Sequence, residues 1–314
     1  MKHRLLAILF LVLAPFVRAE FQQSDTSLAW QVDGSDVWRF SFDPAKGKPF
    51  FHPIGVIGGP ALTNFKPEDH PWHYGLWFSW KYINKANYWE ENRQTGRAQG
   101  RTGWSTPKIE TKPDGSAAIA MEVTYTHPSG RVDLTEQRVL KISAPDAQGG
   151  FTLDWSAQFT AGSEGAVLDR TPMPGEPDGR FNGGYAGLSI RMASAPLGIS
   201  YLSTETTEPM FAQDRWRPGV PAVGFNFSDE GKAAGGIGFL SDTENTGEAN
   251  APWYIVNSRE MRFVCAAILA PKIRTVEAGG KFALNYRIVF RQAPWTPADL
   301  AAARAAWIGH AARK

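Results

Sequence analysis

The sequence predicts an all-β protein, a large antiparallel β-sandwich with one C-terminal helix. Three observations lead there. Apolar residues alternate with period two over several long runs, turn signals separate those runs, and one segment alone carries a clear helix start.

Residues 117–125 put Ile119, Met121, Val123 and Tyr125 on one face. Residues 151–159 do the same with Phe151, Leu153, Trp155, Ala157 and Phe159, and residues 282–290 with Phe282, Leu284, Tyr286, Ile288 and Phe290. Pro113-Asp114-Gly115, Pro128-Ser129-Gly130, Gly149-Gly150 and Gly279-Gly280 mark turns between strands. Long strands joined by short turns build a large sandwich. At the far end, Thr296-Pro297-Ala298-Asp299 supplies an N-cap hydroxyl, a proline at the first helical position and an early acid. A helix is therefore expected over about 297–308, packed on the sandwich as a lid. Residues 161–184 are rich in Gly, Pro and acids; they read as a long functional loop inside one domain, 20–314, and not as a linker.

The amino end has the pattern of a signal peptide over residues 1–19. Lys2, His3 and Arg4 precede an apolar run from Leu5 to Val17, and Val17-Arg18-Ala19 fits a cleavage site. That run is shorter than the roughly 20 residues that cross a bilayer. The expected location is periplasmic or secreted, with no integral membrane association after cleavage. The chain carries 33 basic and 31 acidic residues; losing Lys2, Arg4 and Arg18 leaves 30 against 31. A neutral surface with scattered charges offers nothing to nucleic acid. The single Cys265 lies in an apolar run and reads as a buried small hydrophobe. Without disulfides, the core must come from residues such as the 12 Trp and 19 Phe.

Polar and aromatic residues are densest from Lys48 to Arg101. His52, His70 and His73 fall there, with Asp69-His70-Pro71-Trp72-His73-Tyr74-Gly75 as the richest block. Histidine transfers protons near neutral pH, so His70 and His73 are the candidate acid/base pair. The same residues with His52 form a candidate divalent-metal set, although the proline between His70 and His73 rules out helical placement of the two ligands. In residues 131–142, Glu136 and Arg138 share a strand face with Val132, Leu134, Leu140 and Ile142. Two charges thus point where the pattern places core. They form either a stabilising ion pair or the middle of a polar cleft. No Gly-x-Ser-x-Gly elbow, P-loop or Rossmann fingerprint occurs.

The run Phe51-His52-Pro53, Asp69 through Phe78, Asn84 and Asn87-Tyr88-Trp89-Glu90 resembles the PmoA-like family of bacterial proteins, over roughly residues 48–140. Members are often labelled methane oxygenase; that label implies membrane spans, which this chain lacks after its leader. The resemblance implies instead a galactose-mutarotase-like supersandwich and a sugar-catabolic setting. The expected function is an exported carbohydrate-active enzyme that cleaves a glycan or glycoside, as hydrolase or lyase. His70, His73 and Glu136 would be catalytic. His52, Asp69, Tyr74, Trp80, Glu90, Arg101 and Arg138 would bind substrate. No cofactor is required, with the divalent metal as an alternative. An aldose epimerase and a non-catalytic glycan-binding module are the competing expectations. Convergence of His52, His70, His73, Glu136 and Arg138 in one cleft separates the enzyme from the module.

Overall fold

The computed structural model describes residues 18–247 and 250–311. The expected leader, apart from Arg18 and Ala19, lies outside the described residues. Ala19 opens the first strand, Ala19–Gln23.

The molecule is a β-sandwich of two large antiparallel sheets with a single α-helix among the described residues, as the period-two runs predict. Ten strands form one sheet. Its path runs Ala19–Gln23, Ser27–Val32, Ser35–Ser41, Phe50–Ile54, Leu76–Ser79, Gly187–Arg191, Arg262–Ala266, Ala251–Asn257 and Arg215–Trp216, and the tenth strand, Gly219–Val220, pairs with Ala251–Asn257. Nine strands form the other, with Lys281–Arg291, Phe151–Ala161, Val132–Ile142 and Ala117–Thr126 side by side. A small four-stranded sheet joins Arg274–Val276, Ala166–Asp169, Tyr82–Ile83 and Ala86–Asn87.

Side chains from both large sheets meet in one core, Leu76, Ile190 and Val264 from one and Val123, Leu140 and Ile288 from the other. Each fully buried side chain of this size contributes about 1.5–3 kcal/mol. The helix Pro297–Ala311 starts where the cap predicts, with the Asp299 amide donating to Thr296 Oγ1. Leu300 and Trp307 pack it against Leu202, Ala222 and Leu240, on the outer face of the nine-stranded sheet. No described helix is long and apolar enough to cross a membrane.

One strand departs from its expected alternation. In Val132–Ile142 the face of Leu134, Glu136, Arg138, Leu140 and Ile142 is buried as predicted, but Val132 is exposed and Asp133 is buried. The register shifts between Tyr125 and Thr126, so Thr126 pairs with Val132 and Asp133 becomes the extra residue of a bulge. Asp133 accepts there from Arg131.

Candidate functional site

The ten-stranded sheet is covered on both sides. Leu76, Phe78, Leu188, Ile190, Val264 and Ile255 face the sandwich core. Their alternates Trp77, Cys265, Phe263, Tyr254 and Val256 face outward and make a second apolar cluster. Ser189 and Arg191 share that outer face: Ser189 pairs with Trp77 and Cys265, and Arg191 with Phe263. Cys265 is fully buried here and burial pushes its thiol up to about 12, in keeping with the inert hydrophobe expected.

Three loops roof this outer face. The first spans residues 64–75. Its turns are held by the His70 amide on the Pro67 carbonyl and the His73 amide on the His70 carbonyl. This three-residue step stacks the His70 and His73 rings, 4.7 Å apart. Gly75, at φ 64°, returns the chain to the sheet; a Cβ there would sit 2.2 Å from the Phe51 carbonyl oxygen. The second loop follows the hairpin Tyr82–Asn87, whose turn is made by Asn84 and Lys85 at positive φ. Asn87 Oδ1 accepts from the amides of Trp89 and Glu90 and fixes both residues over the sheet. The third loop carries Asn182 and Tyr185 and enters the sheet at Gly187, where a Cβ would meet the Ala266 carbonyl oxygen at 2.5 Å.

Between loops and sheet lies a cavity of about 300 Å³. His70, Trp72, His73, Trp89, Glu90, Asn182, Tyr185, Arg215, Tyr254, Met261 and Phe263 line it. Aromatic walls with a few convergent polar groups are the usual make-up of a small-molecule site.

The polar groups are ordered by a buried arginine. Arg191 is fully buried, and its Nη2 donates to both Asp69 oxygens at 2.8 and 2.9 Å and to the Glu260 carbonyl. Asp69 Oδ2 also accepts from His70 Nδ1 at 2.7 Å. Burial pushes the Asp69 carboxyl up, but the bonds from His70 and Arg191 outweigh it and hold the group below its ordinary value. With Nδ1 donating to Asp69, the lone pair of His70 is on Nε2, and His70 lines the cavity. This is a base oriented by a carboxylate.

His73 differs. Its side of the stack is buried against Phe263 and Trp77. Arg191 Nη1 donates to its Nδ1 at 3.3 Å, which leaves the proton on Nε2. Burial, then proximity to His70 and the charges of Arg191 and Lys48, push its pKa well below the usual value, so His73 stays neutral. Glu90 is fully engaged. Oε1 accepts from Tyr185 at 2.6 Å, and Oε2 accepts from Asn87 at 2.7 Å and from Lys81. Burial raises its pKa, but Lys81 and these donors bring it below the ordinary value.

The expected five-residue cleft does not form. His70 and His73 share the cavity, with Glu90 beside them and Asp69 behind His70. Glu136 and Arg138 lie inside the sandwich, 0% and 1% exposed. Arg138 Nε and Nη2 clamp the Glu136 carboxylate at 2.6 and 2.8 Å, Tyr125 donates to it at 2.7 Å, and the guanidinium lies over Trp155. No substrate reaches them, so the catalytic role for Glu136 and the binding role for Arg138 give way to a buried ion pair. Trp80 is also core, packed on Phe78 and Phe159, because it alternates with outward-facing Trp77. Tyr74 is buried and donates to Glu91, away from the cavity. His52 bonds Thr63 and stacks on Phe65. Arg101 lines a separate groove of about 610 Å³ with Lys48, Lys66, Glu91 and Arg97.

The histidine metal set does not converge either. His52 is apart, His70 Nδ1 is taken by Asp69, and the Arg191 cation sits on His73 Nδ1. Among the described residues no group of three or more His, Cys, Asp or Glu is placed to hold a metal ion.

The sequence pattern does not single out Arg191 as the organiser, nor Tyr185, Arg215, Tyr254, Met261 and Phe263 as cavity walls. A signal exists all the same. The runs Trp253–Val256 and Phe263–Leu269 are continuously apolar, as strands covered on both faces must be.

The fold resembles several solved structures. An α-galactosidase from Lactobacillus brevis matches at 11% identity and TM-score 0.46, over 89% of this chain and 40% of its own. A putative aldose 1-epimerase from Klebsiella pneumoniae subsp. pneumoniae matches at 8% and 0.46, over 88% and 81%. A GH36 α-galactosidase from Geobacillus stearothermophilus, solved with raffinose, matches at 9% and 0.47, over 88% and 41%. This chain therefore spans well under half of either galactosidase. No curated protein matches the sequence. A family model covers residues 27–305, and the chain belongs to that family, which is described as "Family of unknown function (DUF6807)".

Proposed function

We propose that this protein is an exported carbohydrate-active enzyme that transforms a sugar by acid–base chemistry at His70. The observation that carries the reading is the Asp69–His70 pair on the wall of an aromatic cavity, with His70 Nε2 as the open base. In this reading Arg191 and Asp69 are positioning residues that fix the tautomer. Trp72 and Trp89 face the sugar ring. Neutral His73 supports the His70 ring from below. Cleavage as a hydrolase or lyase is the preferred outcome, and epimerisation the other. The proposal includes residues 1–19 as a leader, a periplasmic or secreted location, and the kinship of the histidine-rich block to the PmoA-like family. No cofactor is required.

One observation favours a second reading, a glycan-binding module. Glu90 is saturated with donors and held as a carboxylate, so it does not serve as an acid opposite His70. Screening aldoses and α- and β-linked oligosaccharides with product analysis separates the readings. An ultraviolet-absorbing double bond marks a lyase, new reducing ends a hydrolase, and a changed stereocentre an epimerase. His70→Gln is expected to lower the rate about 10²–10⁴-fold in a protein that melts like wild type, the usual share of a general base. A rate within threefold of wild type refutes the role of His70. Binding without turnover across the screen makes the site a module.

A further inference from the structure

We infer that the ligand of this cavity is an acidic sugar, with its carboxylate seated on Arg215. The inference rests on the reading of the cavity as a sugar site and specifies the class of sugar.

Three arginines of this protein hold a carboxylate in the same way. Arg39 grips Asp36 through Nε and Nη2 at 2.7 and 3.0 Å. Arg138 grips Glu136, and Arg287 grips Asp154, through the same two nitrogens. That edge of the guanidinium matches the two oxygens of a carboxylate. Arg215 stands on the cavity wall beside the Tyr254 phenol, with the corresponding Nε buried and without a hydrogen bond, while its Nη1 donates to the Gln213 carbonyl. The mount is firm. A tight turn with Gln213 and Asp214 at positive φ is closed by mutual backbone bonds between Ala212 and Arg215. Arg215 then pairs with Val256 at the edge of the sheet.

The surrounding charge points the same way. Arg217 lies 4.1 Å over the Tyr254 ring; its Nη2 donates to the Gly183 and Phe181 carbonyls, and its Nη1 is buried without a partner. No Asp or Glu forms an ion pair with Arg215 or Arg217 among the described residues. Elsewhere in the site each carboxylate has its cation, Asp69 with Arg191 and Glu90 with Lys81. Tyr254 adds no counter-charge, because burial pushes its phenol up. The cavity thus has one half-buried cation in excess on its wall, Arg215, and a second, Arg217, against the wall residue Tyr254. Desolvated charge without a partner is costly, and an anionic substituent on the ligand removes that cost.

The test is binding of three matched pairs: glucuronate and glucose, galacturonate and galactose, mannuronate and mannose. Calorimetry and the fluorescence of the cavity tryptophans read the affinity of wild type, Arg215→Lys and Arg215→Gln, each checked by thermal melting. At least one uronate should bind tenfold or more tighter than its neutral twin. Arg215→Gln should bring that pair within twofold, and Arg215→Lys should fall between. Equal or tighter binding of the neutral twins overturns the inference and leaves the sugar site standing, as does a preference that survives Arg215→Gln. Tighter binding of glucose 6-sulfate than of glucuronate overturns the carboxylate assignment. If none of these sugars binds, the sugar reading falls and takes the inference with it. Should Arg215→Gln not fold, wild-type uronate binding still decides. It must weaken at least threefold between 0.1 and 0.5 M salt, and an unchanged affinity refutes a charge contact.

Discussion

Glu136 and Arg138 meet inside the sandwich, whereas Asp69 and Arg191 meet on the outer side of the ten-stranded sheet. Both pairs are arginine–carboxylate contacts made with a buried guanidinium. They differ in what the third partner leaves open. In the core, Tyr125 donates its hydroxyl to Glu136, and the cluster ends against Trp155. On the outer face, His70 donates from Nδ1 to Asp69 and keeps Nε2 at the cavity. A set of charges sealed inside the core can only stabilise or specify the fold. A set with one basic nitrogen left over can take up a proton. The role proposed for His70 rests on one unused lone pair, and not on the presence of charge in an apolar place.

Breaking the core pair should give the largest effect. Arg138→Met leaves a buried carboxylate without its cation and should cost about 3–5 kcal/mol in denaturant unfolding. Ligand affinity of the folded fraction should stay within threefold of wild type. A loss under about 1 kcal/mol, or a large change in affinity, would mean that the two clusters are not separate.

A matched pair of tyrosine deletions sharpens the comparison at smaller scale. Tyr125 and Tyr185 each donate to a glutamate, at 2.7 and 2.6 Å. Tyr125→Phe removes a fully buried, charge-assisted bond and should cost about 1.5–3 kcal/mol of stability. Tyr185→Phe should change stability by less than about 1 kcal/mol, because the Glu90 end of the bond is reached by solvent and replaced by water. Its effect should appear as weaker ligand binding. Equal stability losses in the two variants would contradict the distinction.

The last expected effect is in pH. Arg138 keeps its charge throughout, its pKa raised overall because Glu136 more than offsets the burial that lowers it. His52 and His73 behave differently. Burial holds His52 at about 4 and pushes His73 well below its usual value. Unfolded histidines take up protons near pH 6.5, and the folded ones do not until lower pH. Stability should therefore fall as pH drops from about 6.5 toward 4. Thermal melting across that window should show the slope, and His52→Asn should flatten it. An unchanged slope in that variant would place the titration elsewhere.

Much of the fold is legible in the order of the amino acids. Period-two runs at 117–125, 151–159 and 282–290 correspond to strands Ala117–Thr126, Phe151–Ala161 and Lys281–Arg291, and the Thr296-Pro297 cap corresponds to the start of Pro297–Ala311. The site is legible only in part. Asp69, His70 and His73 are close in sequence, so a local turn brings them together and composition exposes them. Glu136 and Arg138 are legible as misplaced charges, but the choice between ion pair and cleft depends on what the opposite sheet presents. It presents apolar core.

The β-alternation, the helix cap and the histidine-rich turn are written into the chain, because each is set by contacts between residues a few positions apart. Which charges meet is a tertiary matter. Arg191 reaches Asp69 across 122 positions, and Tyr185 reaches Glu90 across 95. Those meetings follow from the antiparallel register of Leu76–Ser79, Gly187–Arg191 and Arg262–Ala266. Register fixes which side chains share the outer face, and a pattern that alternates equally well in either direction does not encode it.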